Sequence, residues 1–129
     1  MDYLADTVTI IRHFSGAGRI GQAARLVLES VEKGENNLFL SSVSLVEILY
    51  LAEKKRIGIN LDDALITIKK SSNYSIVDLT SNIISLATGI KYPEIFDRLI
   101  ISTANYLNVP LITSDRGIRK SGLVETIWS

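Results

Sequence analysis

Four carboxylates stand where the surrounding sequence disfavours charge. Asp6 directly follows the apolar run Tyr3-Leu4-Ala5, and Asp115 follows Leu111-Ile112-Thr113-Ser114. Glu47 lies between Val46 and Ile48 inside the apolar stretch Val43 to Leu51, and Asp97 lies between Ile95-Phe96 and Leu99-Ile100-Ile101. An isolated ionised carboxylate in an apolar setting costs several kcal/mol and is normally paired or bound to a metal. If the four converge, two of them about 4 Å apart repel by about 4 kcal/mol at an effective dielectric of about 20. A divalent cation resolves that conflict, and oxygen donors without histidine or cysteine favour Mg²⁺ or Mn²⁺ over zinc. Three of the acids also have a bland reading: Asp6 and Asp115 suit turns or helix N-caps, and Asp97 has Arg98, Arg116 or another base as a candidate partner.

Six other acids, Glu29, Glu32, Glu35, Glu53, Asp62 and Asp63, fall among polar residues on helix faces or ends and read as solvated. The lone histidine, His13, follows Arg12 on an early helix and reads as a surface residue. With one histidine and no cysteine, a two-histidine metal site, thiolate zinc, a disulfide framework and a cysteine nucleophile are all excluded.

To bring these acids together the chain must fold as an α/β protein. Short apolar segments alternate with longer segments of helical period, the pattern of a largely parallel sheet. Strands are predicted at Tyr3 to Ala5, Leu38 to Leu40, Ile76 to Leu79, Pro110 to Thr113 and Val124 to Ile127. Helices are predicted over Ile20 to Lys33, Val43 to Arg56 and Leu61 to Lys70. A further helix is capped by Thr80 or Ser81 and stopped at Gly89, and another is opened by Tyr92-Pro93 and runs to Asn108. Ser41, Ser42 and Ser44 are candidate caps for the second of these. On this reading Asp6 and Asp115 emerge at the C-terminal ends of parallel strands, where open α/β sheets place their ligand crevice.

A length of 129 residues predicts one domain over 1–129. The balance of 47% hydrophobic and 22% charged residues argues for a folded globular chain rather than a disordered one. Formal net charge is zero, 14 basic against 14 acidic residues, so a polyanion has to be attracted locally rather than by the overall field. The start, with Asp2 and no basic segment leading an apolar stretch, does not resemble a signal peptide. No apolar run approaches the ~20 residues of a membrane span, so a cytoplasmic protein without membrane contact is expected. Trp128 is expected to seal an end of the core or a subunit contact.

At the four acids the sequence resembles the PIN-domain family, and within it the small VapC-like toxins of toxin–antitoxin pairs. Tyr3-Leu4-Ala5-Asp6-Thr7 resembles the family's first strand and first acid, and Ser41-Ser42-Val43-Ser44-Leu45-Val46-Glu47-Ile48 the segment carrying the second. Phe96-Asp97-Arg98-Leu99-Ile100 and Leu111-Ile112-Thr113-Ser114-Asp115 resemble the third and fourth. The likeness covers nearly the whole chain and rests on order and spacing. One departure is Val8, which stands where such toxins often carry asparagine or serine.

The resemblance implies a PIN-like fold, a central parallel five-stranded sheet flanked by helices in three layers. It implies a Mg²⁺- or Mn²⁺-dependent endoribonuclease that cleaves RNA with a metal-activated water. Asp6, Asp97 and Asp115 would be direct ligands, with Glu47 a ligand directly or through water. It further implies neutralisation by a small antitoxin inserted near the acidic pocket, and a homodimer. Around the acids, Thr7, Thr113 and Ser114 can hydrogen-bond the carboxylates or a phosphate, or merely cap turns. Arg98 and Arg116 can grip an RNA phosphate, or form salt bridges or solvated surface. Lys54, Lys55, Arg56, Lys69 and Lys70 can extend a phosphate track or complement helix ends. The rival readings are a non-catalytic PIN-like module that binds RNA or protein, and a phosphoacceptor receiver domain. The receiver needs a paired acidic cluster near the first strand and a late lysine, and only Asp2 precedes Asp6.

Overall fold

The computed structural model describes all residues, Met1–Ser129. Five strands, β1 (Asp2–Ala5), β2 (Asn37–Ser41), β3 (Tyr74–Val77), β4 (Leu111–Ile112) and β5 (Thr126–Ile127), form one sheet in the order β3-β2-β1-β4-β5. Every neighbouring pair is parallel. The helices are α1 (Thr7–Ser15), α2 (Gln22–Glu32), α3 (Ser42–Glu53), α4 (Leu61–Lys70), α5 (Ser81–Ala87), α6 (Ile95–Leu107) and α7 (Arg116–Ser121). None is long and apolar enough to cross a membrane.

Alternation along the strands builds the three layers, because successive side chains leave opposite faces of the sheet. Tyr3, Ala5, Leu38, Leu40 and Ile112 pack into one core with Ile10 of α1, Ala24, Leu28 and Val31 of α2, Ile48 of α3 and Ile68 of α4. Leu4 and Leu111, one residue out of step, pack into the other with Ile100, Ile101 and Ala104 of α6 and Ile118 of α7. The expected parallel five-stranded sheet flanked by helices is therefore the fold observed.

The main differences from the sequence reading are local. β3 begins two residues earlier than predicted, with Tyr74 buried opposite Leu38. The even shift preserves the face each side chain takes. The chain leaves the ladder at Asp78, where the backbone N–H of Leu79 donates instead to the Ser42 hydroxyl at 2.9 Å. Helix α7 has no counterpart in the sequence reading, because six residues carrying Arg116, Arg119 and Lys120 offer one buried apolar side chain, Ile118, and no period.

Trp128 is buried in the first core, and the chain end is locked by backbone contact. Ala24 N–H donates to the Trp128 carbonyl at 3.0 Å, and a Cβ on Gly21 would stand 2.2 Å from that same oxygen. Gly21→Ala is therefore expected to lower unfolding free energy by about 1–3 kcal/mol, the usual range for forced overpacking. Chemical denaturation measures this, and a stability equal to wild type would contradict the close approach.

Candidate active site

The strand order dictates where the acids meet. The chain starts in the middle of the sheet, winds outward through β2 and β3, then returns to place β4 against the other side of β1. Between β1 and β4 the winding reverses, and such a switch point opens a crevice at the carboxyl ends of the strands. Asp6 ends β1 and Asp115 follows β4, so both stand at its mouth.

Asp6 is 5% exposed. Its Oδ1 accepts from Thr9 N–H at 3.0 Å, capping α1, and its Oδ2 accepts from the Thr113 hydroxyl. Burial pushes this carboxyl upward in pKa, the Thr113 and Thr9 hydrogen bonds hold it down, and the charge of Asp115 adds a push upward. The Thr113 oxygen in turn accepts from Asp115 N–H at 3.1 Å, tying the two strand-end acids together.

Asp115 caps α7 by accepting from Ile118 N–H at 3.0 Å through Oδ1, which also accepts from the Tyr92 hydroxyl at 3.0 Å. That approach depends on Gly117, where a Cβ would lie 2.5 Å from the Tyr92 hydroxyl and 3.1 Å from Asp115 Oδ1. Desolvation, then the hydrogen bond to Asp115 and the charges of Asp115, Asp97 and Glu94, push Tyr92 up to about 12.

Glu47 projects from α3, which starts directly at the end of β2 with Ser41 as its cap. Thr7, in the first turn of α1, donates its hydroxyl to Glu47 Oε1 at 2.6 Å and stands 2.9 Å from the buried Ser44 hydroxyl. Burial raises the Glu47 pKa, the Thr7 bond lowers it, and the charges of Glu94 and Asp6 raise it.

Asp97 lies in the first turn of α6, whose cap is Glu94: the two Glu94 oxygens accept from Phe96 and Asp97 N–H at 3.1 and 2.7 Å. The Asp97 carboxylate itself takes no hydrogen bond from the protein. Burial, followed by the charges of Glu94, Asp115, Asp6 and Glu47, pushes it up to about 7. Asp97 thus feels the charges of the other three predicted acids, and Glu94 joins them as a fifth. The sequence reading opens this helix at Tyr92-Pro93 and assigns Glu94 no role. Its spacing of three from Asp97, which puts both on one helix face, is the signal that could have found it.

A hard divalent cation suits this donor chemistry. As the side chains stand, no three of them from histidine, cysteine, aspartate and glutamate are arranged to hold a metal ion. What the crevice offers is uncommitted carboxylate oxygen. Both oxygens of Asp97 are free, and the hydrogen bonds of Asp115 and Glu47 use only Oδ1 and Oε1, respectively. Nitrogen and sulfur donors are absent from the group, as an oxygen-preferring ion requires.

The remaining candidates separate by position. Ser114 is half-buried and makes no side-chain hydrogen bond. Val8 is exposed. Arg98 donates from Nε to the Ala87 carbonyl at 2.9 Å, fastening α6 to the end of α5. Arg116 is exposed and unpaired beside Asp115. The suggested track of Lys54, Lys55, Arg56, Lys69 and Lys70 is corrected by the topology. α3 starts at the acidic end of β2 and runs away from it, and α4 ends just before β3 begins. These cations therefore lie toward the opposite end of the sheet. His13 differs from expectation in being half-buried, while Glu32, exposed at the end of α2 as expected, is nevertheless engaged with it. Glu32 accepts from the Tyr74 hydroxyl and forms the structure's one ion pair, with His13 Nε2 at 2.9 Å.

Asp97 makes stability pH-dependent. Its folded pKa of about 7 lies above the ordinary 3.8, so between those values the unfolded chain gives up a proton that the folded chain keeps, and stability falls as pH rises. In EDTA the melting temperature should drop between pH 5 and pH 8. Asp97→Asn should flatten that drop, and Mg²⁺ should reverse it in wild type at pH 8. Parallel pH profiles for wild type and Asp97→Asn would show that no such electrostatic strain exists.

Comparison with known proteins accords with this architecture. No curated protein sequence matches the chain. Among solved structures, VapBC2 from Rickettsia felis bound to a DNA fragment from its promoter superposes with a TM-score of 0.71 at 18% identity, covering 98% of this chain and 97% of that one. A toxin–antitoxin complex from Klebsiella pneumoniae gives 0.66 at 21%, covering 95% and 94%. FitAcB from Neisseria gonorrhoeae gives 0.66 at 18%, covering 96% and 95%. At these identities the likeness establishes a shared fold. The PIN domain family profile matches residues 3–122, nearly the entire chain, and with the acids gathered at the β1–β4 switch point it places the chain in the PIN domain family.

Proposed function

We propose that the protein is a divalent-metal-dependent endoribonuclease and the toxin of a toxin–antitoxin pair, acting in the cytoplasm. The observation that carries the nuclease reading is the meeting of five carboxylates at the β1–β4 switch point, with Asp97 pushed up to about 7 and left unbonded. A cluster so unfavourable by itself is what a cation site requires. Asp6, Asp97 and Asp115 would hold Mg²⁺ or Mn²⁺, with Glu47 doing so directly or through water. Such an ion, when bound, supplies the positive charge that activates water and stabilises the leaving oxygen of a phosphodiester.

The chain's own residues set the geometry. Thr113 orients Asp6 against Asp115, Thr7 holds one oxygen of Glu47 and leaves the other without a protein partner, and Tyr92 fixes the Asp115 carboxylate. Glu94 keeps the first turn of α6, and with it Asp97, at the mouth. The complete set of four acids speaks against a non-catalytic binding module.

Cleavage of RNA should require Mg²⁺ or Mn²⁺ and stop with EDTA. Asp6→Asn and Asp97→Asn should each lower the rate by about 100-fold or more, since even outer-shell changes at metal sites cost about 10–100-fold, while circular dichroism stays native. Cleavage by Asp97→Asn at the wild-type rate would sink the assignment.

The antitoxin reading is supported by an apolar groove of about 380 Å³ alongside Glu47, lined by Val46, Tyr50, Leu51 and Phe96. Val46 and Tyr50 are more than half exposed, a placement that suits the apolar side of an amphipathic segment. The groove borders the acids, so a segment lying there would block the crevice. Tyr50→Ser is expected to cleave RNA normally yet escape inhibition by the product of a small reading frame adjoining this gene. Unchanged inhibition in a titration of that product would remove the groove from the interface.

A further inference from the structure

One charged surface is left over once the acidic crevice is accounted for. On the far side of Asp115 lies an open cleft of about 470 Å³ lined by Arg116, Arg119, Lys120 and Thr126, with no apolar side chain in its wall. It sits between α7 and the edge strand β5, and Arg119 is steadied there by donating from Nη2 to the Ser129 hydroxyl at 3.1 Å. None of the three cations is paired with a carboxylate, because the structure's one ion pair is that of His13 with Glu32. In a chain of zero formal charge, three unneutralised cations in one cleft make a local anion attractor.

Continuity with the crevice identifies the anion. Arg116, the first residue of α7, lines the cleft directly after the cap Asp115, so the cleft meets the crevice at the start of that short helix and follows it toward Thr126 at the start of β5. We infer that this cleft binds backbone phosphates of the single-stranded RNA whose scissile bond lies at the acids, and that Arg116, Arg119 and Lys120 set the path of the strand. The inference rests on the nuclease reading for the identity of the polyanion. Two guanidinium forks and an ammonium suit successive phosphates, the Thr126 hydroxyl adds a neutral donor, and the lack of apolar lining disfavours a stacked base. The path thereby runs over α7 and the β5 edge, away from the lysines that end α3 and α4.

The test is binding of a short labelled oligoribonucleotide to the Asp97→Asn protein in EDTA, over a range of salt. Adding Arg116→Ala, Arg119→Ala and Lys120→Ala should weaken binding by about tenfold or more at low salt. It should also flatten the plot of log affinity against log salt by about 2, because each phosphate neutralised on a single strand contributes about 0.7 to that slope. A charge-matched control, Lys54→Ala with Lys69→Ala and Lys70→Ala, should change neither by more than about twofold. With Asp97 intact, the cleft variant should lose activity chiefly through a higher KM.

An unchanged salt slope, or equal weakening in the control, would overturn the inference. So would normal RNA binding by a cleft variant that has lost a protein partner, since the cleft would then be a protein interface. Failure of the nuclease reading looks different: wild type would not cleave RNA in Mg²⁺, whatever the slope. A cleaving enzyme whose cleft variant keeps both slope and KM would remove the cleft alone.

Discussion

Carboxylates that face one another at the end of a sheet repel, and burial makes Asp6, Glu47 and Asp97 harder to ionise. That mutual strain organises this protein. Asp97 shows it most plainly: it lies among Glu94, Asp115, Asp6 and Glu47 and is pushed up to about 7. A hydrophobic core alone would have no use for such a group. The sheet and both helical layers instead hold it in place, because the acids come from four separate segments and only the packing of those segments brings them to one crevice.

The fold partly offsets the strain with its own dipoles. Asp6, Glu94 and Asp115 are the N-caps of α1, α6 and α7, so backbone N–H groups at three helix starts face the crevice. The partial positive charge there favours carboxylates within the first turn. Capping and site chemistry, which compete as explanations when only the sequence is read, therefore coexist in the same side chains. Hydroxyls complete the arrangement, Thr113 between Asp6 and Asp115, and Thr7 between Ser44 and Glu47. Thr7 fixes one oxygen of Glu47 and leaves the other without a protein partner, whereas both oxygens of Asp6 are held, one by Thr113 and one by Thr9 N–H.

Basic residues illustrate how little sequence adjacency says about use. Arg98 and Arg116 each follow a site acid, yet a helical residue points about 100° away from its neighbour. Arg98 is turned onto the end of α5, whereas Arg116 opens a cleft with Arg119 and Lys120. Lys54 to Arg56 form a denser run, but they follow the twelve-residue α3, which carries them a full helix length from the acidic end of β2, whereas the six-residue α7 keeps Arg116 beside its cap, Asp115. Density of charge along the chain and density of charge in space are thus different quantities here.

The sequence by itself determined the alternation of strands and helices, the order of the four acids and the exclusion of nitrogen and sulfur ligand sets. Those features follow from local periodicity and residue type. Only the tertiary structure decided which groups stand against them. Glu94 enters the acidic group because α6 begins two residues later than Pro93 suggested, Tyr92 reaches Asp115 because Gly117 has no Cβ, and Glu32 is engaged because β3 starts at Tyr74 beside His13. His13 meets its two partners across 19 and 61 positions and Tyr92 meets Asp115 across 23, and no local pattern encodes those contacts. They arise from strand order and helix docking, which set distances that the linear spacing of residues leaves free.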